Sequence, residues 1–514
     1  MDWINFNLPM EKPAALSKPA PTEPVDLPEK VPLRRTGPLI QPLVYPPPVG
    51  AETPRTLRAL ARIIDGGLCH HCGSCIGICP SGVLDLDEEE YPTVRHLSAC
   101  TDCGLCVKVC PGDEFDFRSI HQQNFSRPAD LRATHGCFQR GAVTHANDPY
   151  IRQNSTSGGL VTALLLHLLE TGQIDGAVVV TSEEKRLWKG TPILARSREE
   201  ILAAMKPKYA LCATNAAYAE IRKNPGRYAV VGLPCQIHGF HKAAALDQRI
   251  RTRVVLKIGL FCHAAIEHEA FQVIWDSLGE KRKQAKRFIS RIGKHPGTPH
   301  LELEDGSLYP VYFGRRLKGY RPTSVEVLNL IYRLYTPERC MTCFDGLSDF
   351  ADISVGDPWL PPPADHVNWY DGWSFTLIRS AAGEAVYREL LRANKITAVE
   401  LTHDEILSSN KLMAHEKRWR AWRMIERRKK EGRPVPLYGD QSLKFPKAGL
   451  WQALRSDIHM LTHFFCFQPK ARTALFRFFL SPWGYWFFFL NSKRRAARVF
   501  LRDSWARLKR KFRA

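Results

Sequence analysis

Two copies of one cysteine pattern, C-x2-C-x2-C-x3-C-P, constrain this chain more than any other feature of its sequence. The first copy reads CHHCGSCIGICP and begins at Cys69, and the second reads CTDCGLCVKVCP and begins at Cys100. Three thiolates on one short loop can hold three corners of a 4Fe–4S cubane, whereas the fourth ligand must come from elsewhere in the fold. The tandem pattern therefore predicts a bacterial-type ferredoxin domain with two 4Fe–4S clusters.

Each predicted cluster takes ligands from both copies of the pattern. In ferredoxins of this type the fourth cysteine of each run ligates the other cluster. A zinc ribbon or a disulfide scaffold explains the pattern less well, because zinc needs only four ligands at each site. The first ferredoxin set is therefore Cys69, Cys72, Cys75 and Cys110, and the second ferredoxin set is Cys100, Cys103, Cys106 and Cys79.

Length and composition are those of a globular protein. The chain has 514 residues, of which 44% are hydrophobic, and this length allows roughly three domains. Iron–sulfur clusters need a reducing compartment, and the start MDWINFNLPMEKP has no apolar segment of a secretory signal, so we expect a cytoplasmic protein. The predicted parts are a Pro-rich, extended or disordered leader (1–55), a ferredoxin-like domain (56–125), an α/β domain (135–405) and a basic, aromatic helical tail (410–514).

The predicted fold class is α+β for the ferredoxin domain and α/β for the larger domain. Apolar strands alternate with helices in 227–244, 254–262 and 373–393, which is typical of α/β folds. The segment 154–180, NSTSGGLVTALLLHLLETGQIDGAVVV, predicts a helix and a strand after a Ser/Gly-rich turn. A turn of this kind at a helix N-terminus can bind phosphate, although any helix needs an N-cap.

Four further cysteines follow predicted strands or form a C-x2-C pair. Ligand sites in open α/β sheets collect at strand ends, and four thiols are what one more 4Fe–4S cluster requires. From spacing alone, buried free cysteines with a structural C-x2-C pair, or a zinc site, explain them as well. These four cysteines, here called the third set, are Cys235, Cys262, Cys340 and Cys343.

The net charge of +21 is concentrated near the C-terminus. Residues 414–433 carry nine Lys/Arg against three Glu, and residues 470–514 carry thirteen Lys/Arg against Asp503 alone. The apolar run Phe478–Leu490 is shorter than the roughly 20 residues that span a bilayer. We therefore interpret both basic stretches as a surface tail, with three uses open: packing on the protein itself, docking of a partner, or binding an anionic membrane interface.

Four sequence blocks together resemble the family of coenzyme F420 hydrogenase/dehydrogenase beta subunits. The resemblance covers about residues 135–400. Members of this family are flavoproteins that bind FAD and a 4Fe–4S cluster, and some carry an N-terminal ferredoxin module. They move electrons between a two-electron partner and iron–sulfur centres. The blocks are SGGLVTALLLHLLETGQIDGAVVV, VGLPCQIHGFHKA, KIGLFC and RCMTCFDGLSDFADISVGDPW.

The resemblance implies roles for individual residues. It implies that the third set holds a 4Fe–4S cluster beside the flavin, so that the cofactors are FAD and three clusters. It also implies that Ser157, Gly158 and Gly159 cap a helix against the FAD phosphates. Lys208 lies in a Lys-Tyr pair and Asp357 in a Gly-Asp turn that match the family, and both are predicted to contact FAD.

These expectations describe an FAD-dependent iron–sulfur oxidoreductase. It would pass electrons between ferredoxin or another redox protein and a two-electron substrate, with no nucleic acid involved. Deazaflavin, a tetrapyrrole and an intermediate of polysaccharide synthesis stay open as substrates, and no residue is singled out as catalytic. Two alternatives are a non-catalytic electron-transfer subunit of a larger complex, and a regulatory or structural iron–sulfur protein that binds nucleic acid through its tail.

Overall fold

The computed structural model describes residues 53–126, 130, 133–293, 297–311, 324–439, 469–494 and 497. All of them belong to one of the two compact units of the chain, Gly37–Ala514. The predicted Pro-rich leader lies outside the described residues except at its end, as do Cys466 and most of the chain after residue 494.

The cysteine pattern lies on loops and very short helices. The helices Ser74–Ile78 and Leu105–Lys108 each begin directly after a glycine, Gly73 (φ +79°) and Gly104 (φ +78°). A positive φ costs glycine little, which explains why each cysteine run carries a glycine at this point. A small core that includes Leu57, Leu60 and Ile64 packs under the cysteines.

The larger part of the chain is built on a mixed eight-stranded sheet. Its strand order is β13-β3-β12-β11-β7-β6-β4-β5. A three-stranded antiparallel sheet, order β10-β9-β8, and the two-stranded pair β1-β2 are separate. The strands are β1 Leu84–Leu86, β2 Pro92–Val94, β3 Arg140–Ala146, β4 Gly176–Ser182, β5 Gly190–Ala195, β6 Tyr228–Gly232, β7 Val254–Leu260, β8 Ala285–Ile292, β9 Thr298–Leu303, β10 Leu308–Pro310, β11 Ile353–Gly356, β12 Ser374–Ile378 and β13 Ile396–Glu400.

Sixteen α-helices have defined bounds in the described part of the chain, and they agree with the helices predicted before β4 and after β6 and β12. They are α1 Arg55–Asp65, α2 Ser74–Ile78, α3 Leu105–Lys108, α4 Phe117–Phe125, α5 Pro149–Asn154, α6 Leu160–Glu170, α7 Arg198–Ala203, α8 Tyr218–Lys223, α9 Pro234–Leu246, α10 Gln248–Arg253, α11 His268–Ser277, α12 Ser324–Leu334, α13 Ala381–Arg392, α14 His403–Ser408, α15 Lys417–Lys430 and α16 Pro469–Leu480. Residues 482–494 are also helical.

Four strands at the centre of the large sheet run parallel. β11 pairs with β7, β7 with β6, and β6 with β4, all in parallel register. Antiparallel neighbours flank them: β5 on one side, and β12, β3 and β13 on the other. Parallel strands bring their carboxyl ends to one edge, where α/β folds place ligand sites. This edge carries the candidate site described below.

The basic segment 414–433 differs from its interpretation as part of a surface tail. Its helix α15 packs against the body of the protein, and Lys417, Arg418, Arg420 and Arg428 are buried. Arg418 pairs with the buried Asp349, and Arg428 donates to the carbonyl of Gly66. Of the three uses left open for the basic stretches, packing on the protein itself therefore applies to this one, and its buried acceptors lie far away in the chain. These cations are therefore not available to nucleic acid.

No helix in the described ranges is long and apolar enough to cross a membrane.

One buried arginine holds the far end of the site-bearing strands in place. Arg379, after β12, donates to the carbonyls of His135 (2.9 Å), Cys137 (2.8 Å) and Leu347 (2.9 Å). It also donates to the hydroxyl of Ser354 at 2.6 Å and lies 3.5 Å from a carboxylate oxygen of Asp349. No sequence pattern indicates this hub, because its partners are mostly backbone atoms.

Substitution Arg379→Met should lower the free energy of unfolding by about 3–5 kcal/mol, because several buried acceptors and a carboxylate would lose their partner. The measurement is denaturant unfolding of the protein purified without oxygen. The matched control is Arg388→Met, whose exposed side chain pairs with Glu384 on the same helix and should cost less than about 1 kcal/mol. Equal effects of both substitutions would contradict the role given to Arg379.

Candidate functional site

The carboxyl ends of the parallel strands open into one cavity of about 670 Å³. Cofactor and substrate pockets typically measure about 300–1,000 Å³. The wall includes Val179 and Val180 of β4 and the last residues of β6, β7 and β11, together with the turns that follow these three strands. Apart from Gly158, every residue of the third set and every predicted FAD contact lies on this wall. The fold thus brings together residues that are up to 200 positions apart in the chain.

The third set comes from three different segments. Cys235 is the second residue of α9, which follows β6, and Cys262 lies after the end of β7. Cys340 and Cys343 lie in the short turn after Pro337. The N–H of Cys262 donates to the carbonyl of Gly346 at 2.9 Å, which holds the C-x2-C segment beside the end of β7. The four thiols line the same cavity.

Burial makes these thiols poor acids in the absence of a metal. It raises the pKa of Cys262 to about 12, and the neighbouring thiols of Cys340 and Cys343 act in the same direction. Burial, and next the Cys72 thiol, raise the pKa of Cys235 well above the usual value. Metal centres bind cysteine as thiolate and supply the positive charge that stabilises it. Within the described ranges no group of three or more His, Cys, Asp or Glu side chains is arranged to hold a single metal ion.

Buried cations surround the third set. Lys417, only 2% exposed, donates from Nζ to the carbonyl of Cys262 at 2.8 Å. Burial by itself would lower the pKa of Lys417, but the thiols of Cys343, Cys262 and Cys340 raise it above the usual value. Arg420 on the same helix is also buried and interacts electrostatically with the same thiols. A cubane with four thiolates carries net negative charge, so this donor set and its cations fit a cluster.

A helix N-terminus faces another part of the cavity. Gly159 (φ +76°) is the N-cap of α6 and has no side-chain cap, so the first N–H groups of the helix are open to a ligand. Ser157 lies on the wall and donates to Asp357. Gly158 lies behind the wall, where its N–H is taken by the hydroxyl of Ser374 at 3.0 Å. The open backbone donors of the turn are therefore those after Gly158.

Thr156 is a residue of this turn that sequence reasoning missed. Its hydroxyl is buried on the cavity wall, and it has no hydrogen-bond partner among the described residues. A buried polar group without a partner is costly, so a polar ligand at this place would satisfy it. The open helix end and this hydroxyl together fit a ligand that carries phosphate or other acceptor and donor groups.

Lys208 and Asp357 lie on the wall in different situations. The Lys208 ammonium donates to the carbonyls of Ala204, Met205 and Lys206 at 3.1–3.2 Å. Burial lowers the pKa of Lys208 to about 8. Asp357 forms an ion pair with Arg291 at 2.8 Å. The hydrogen bonds of the Lys208 ammonium are thus made with backbone carbonyls, whereas the Asp357–Arg291 ion pair places one negative and one positive group on the cavity wall.

Each predicted ferredoxin set combines three cysteines of one run with the fourth cysteine of the other run. Burial and then the Cys110 thiol raise the pKa of Cys69. Burial and then the Cys79 thiol raise the pKa of Cys106 to about 12. Cys69, Cys72, Cys75 and Cys110 also line one small cavity. The fourth cysteine of each run therefore lies beside the other triad.

The three sets form a series. The helix α2, which carries Cys75 of the first ferredoxin set, packs against α3, which carries Cys106 of the second, and both cysteines belong to one small core. Asn215 connects the first set to the third, because its N–H donates to the carbonyl of Cys72 and its side chain donates to the carbonyl of Gln236, next to Cys235. Cys103, in the second ferredoxin set, is exposed. The series therefore begins at the surface and ends at the cavity.

The histidines considered near the cysteine segments have different positions. His238 lies 3.0 Å from Asp345 and stacks on Phe115 in the core, and His241 lies 2.9 Å from the carbonyl of Phe350. His263 follows Cys262 and lines the cavity. Of these three, only His263 is positioned to meet a ligand there.

Comparison with known proteins agrees with this architecture. The model described as "Coenzyme F420 hydrogenase/dehydrogenase, beta subunit N-term" matches residues 142–218, and the corresponding C-terminus model matches 226–404. A 4Fe-4S dicluster domain matches residues 61–111. The chain belongs to the family of coenzyme F420 hydrogenase/dehydrogenase beta subunits. The family expected from the sequence blocks is thus confirmed, and so is the 4Fe–4S ferredoxin domain.

Three relatives carry names that refer to coenzyme F420. Coenzyme F420-dependent sulfite reductase of Methanocaldococcus jannaschii is 26% identical over 74% of this chain, and the match spans 53% of that reductase. A subunit of the F(420)H(2) dehydrogenase of Methanosarcina mazei is 26% identical over 64% of this chain and 84% of its own length. Coenzyme F420 hydrogenase subunit beta of Methanothermobacter thermautotrophicus is 25% identical over 59% and 99%, respectively.

A solved structure is also similar to this chain. It is a chain of the F420-reducing NiFe hydrogenase complex of Methanosarcina barkeri, with a TM-score of 0.47 and 23% identity. The match covers 60% of this chain and 98% of that one. At this TM-score the likeness supports no argument about function.

Proposed function

We propose that this protein is an iron–sulfur flavoprotein oxidoreductase that connects a one-electron carrier to a two-electron substrate. The observation that carries the proposal is the series of three cysteine sets, which begins at the exposed Cys103 and ends on the wall of the 670 Å³ cavity. Each set supplies four thiols, the number that a 4Fe–4S cluster requires. The proposal places FAD in the cavity and three clusters along the series.

Residues of the α6 turn would hold the phosphate part of FAD. The open N–H groups after Gly159 and the helix dipole favour a negative group there. The Thr156 hydroxyl would gain a hydrogen-bond partner, and the third set lies across the same cavity. FAD exchanges two electrons and clusters exchange one, so their proximity would allow conversion between the two kinds of transfer.

A second cavity of about 930 Å³ adjoins the first and offers a place for the substrate. The two share Ser155, Thr156, Ser157, Lys206 and Arg291. Arg152 and Arg287 also line the second cavity, as do the acidic residues Glu302, which pairs with Arg287 at 3.1 Å, and Asp371. Four cations against two acids leave the lining positive, and we infer that the two-electron substrate is anionic. Coenzyme F420, which appears in the names of the relatives, is one candidate. Assays with different substrates would identify the one that this protein uses.

A second candidate function is a non-catalytic electron-transfer subunit. It is favoured by relatives that are named as subunits, one of F(420)H(2) dehydrogenase and one of coenzyme F420 hydrogenase. It keeps the clusters and the flavin but predicts no turnover of a free small molecule by the isolated chain. Steady-state assays with chemically reduced one-electron donors distinguish it from an oxidoreductase that works alone.

The composition of the protein tests the main proposal. Protein purified without oxygen should contain about twelve irons and one FAD per chain, and Cys235→Ala should lower iron to about eight, because one of three cubanes loses a ligand. The control Cys137→Ala changes a cysteine that does not line the cavity and should keep about twelve. About eight irons in the unchanged protein would contradict the third cluster, and absence of flavin would contradict the proposed flavin site.

Thr156→Val should weaken FAD binding about tenfold, the cost of one hydrogen bond in a buried site. The measurement is a fluorescence titration of FAD into flavin-depleted protein whose clusters are intact. Without flavin the same variant should be no less stable than the unchanged protein, because valine removes an unsatisfied hydroxyl. The control is Thr171→Val, at the opposite end of α6. Equal FAD affinity in the Thr156 variant would contradict the placement.

Lys417→Met should make the reduction potential of one cluster more negative by at least about 60 mV, a tenfold change for a one-electron couple. Reduction adds negative charge, so loss of a buried cation disfavours it. The measurement is an anaerobic redox titration followed by electron paramagnetic resonance. Lys417→Arg keeps the charge and should leave the potential close to that of the unchanged protein. Lys430→Met, at the exposed end of α15, should not change the potential. An unchanged potential in the methionine variant would refute the electrostatic role.

A further inference from the structure

The last described part of the chain, residues 469–494, is a two-helix segment held on the body by one face. Arg472 is buried, pairs with Glu267 at 2.8 Å and with Glu269, and lies 4.6 Å from the ring centroid of Tyr335. Phe476 on the same helix is fully buried. The position of the segment is therefore set by a buried ion pair and by core packing.

The opposite face of this segment is apolar and open to solvent. In the second helix Trp483 is 74% exposed, Phe487 52% and Leu490 62%, whereas Tyr485 and Phe488 are buried. Residues 483, 487, 490 and 494 repeat at three- to four-residue spacing, so they share one face of a helix. A surface helix usually turns its apolar face inward. Here large apolar side chains point outward as well, and such patches mark interaction sites.

Positive charge borders this apolar face. Lys493 and Arg494 are exposed and end the stripe. Between residues 470 and 514 the sequence carries thirteen Lys/Arg and a single acid, Asp503. A protein partner would have to match a broad apolar stripe with a dense negative rim, whereas an anionic lipid surface supplies both features at once. Tryptophan is also enriched where membranes meet water.

We propose that residues 469–494 dock the protein on an anionic lipid surface, with Trp483, Phe487 and Leu490 inserted at the headgroup boundary. Lys493 and Arg494 would contact lipid phosphates. Over the described residues neither helix of this segment is long enough to span a bilayer, so the segment would lie along the interface. The buried Arg472 ion pairs would fix the orientation of the whole oxidoreductase body relative to the lipid. This inference is independent of the cofactors assigned above.

The test is vesicle sedimentation with the full-length protein purified without oxygen. Vesicles are made of phosphatidylcholine alone, or with about one third phosphatidylglycerol, whose anionic headgroups attract Lys and Arg. The protein should pellet with the anionic vesicles at low salt. The double variant Trp483→Ser/Phe487→Ser should lower the partition coefficient at least about tenfold, because it removes two inserted aromatic side chains. The control Leu391→Gln changes a surface leucine of α13 that is 36% exposed and should partition like the unchanged protein.

A second variant separates charge from insertion and from misfolding. Lys493→Glu/Arg494→Glu should lose the preference for anionic over neutral vesicles, while the visible spectrum and thermal unfolding stay unchanged because both side chains are exposed.

Failure to pellet with anionic vesicles would overturn the proposal, as would equal partition of the Trp483/Phe487 variant and the unchanged protein. A dimer in sedimentation velocity that this variant dissociates would also overturn it, in favour of a second copy of the chain on the same face.

Discussion

The first ferredoxin set is held closely against the α/β domain, on which the proposed electron transfer into the cavity depends, and Asn215 makes the central contact. Its backbone N–H donates to the carbonyl of Cys72 at 2.8 Å. Its buried side chain donates to Ser74 Oγ at 2.8 Å and to the carbonyl of Gln236 at 2.9 Å, next to Cys235. One residue thus connects the first set to the third. At this contact Gly73, Gly77 and Gly239 face the opposing segment of the protein, with which an added Cβ would collide.

Arg339 makes a second connection between the same two sets. It precedes Cys340 and donates to the carbonyls of Gly112 (2.9 Å) and Pro111 (3.3 Å), just after Cys110. Together with Lys417 and Arg420 it also places positive charge among buried thiols. Buried charges are stable only when they are compensated, so these cations and a cluster with its thiolates would stabilise each other. Arg339 therefore both connects the two sets and adds positive charge beside their thiols.

Sequence reasoning predicted more of the site than of its surroundings. The family and the ferredoxin domain were predicted and are confirmed, while the ligand sets and the FAD contacts stay predictions. Metal ligands are recognisable because cysteine spacing is set by cluster geometry. Asn215, Thr156 and Lys417 were missed, since each acts through backbone contacts or burial that leave no local pattern. Which of the open uses applies to the basic helix α15 was decided only by the structure, because charge density is visible in sequence but the partners that bury it are not.

Residue type and short-range spacing were enough to identify the residues that can do chemistry: twelve cysteines in two tandem runs and three later segments, a glycine-rich turn before a helix, and an aromatic, basic C-terminus. The chain carries these features wherever it folds. The series of three cysteine sets that ends in one cavity, by contrast, exists only in the folded protein. The same holds for the burial of one basic segment beside thiols, while Lys493 and Arg494 of the other flank an exposed aromatic face. Those outcomes depend on pairings such as Arg418–Asp349 and Arg472–Glu267, between residues about 70 to 205 positions apart, which only the close packing of the folded chain brings together.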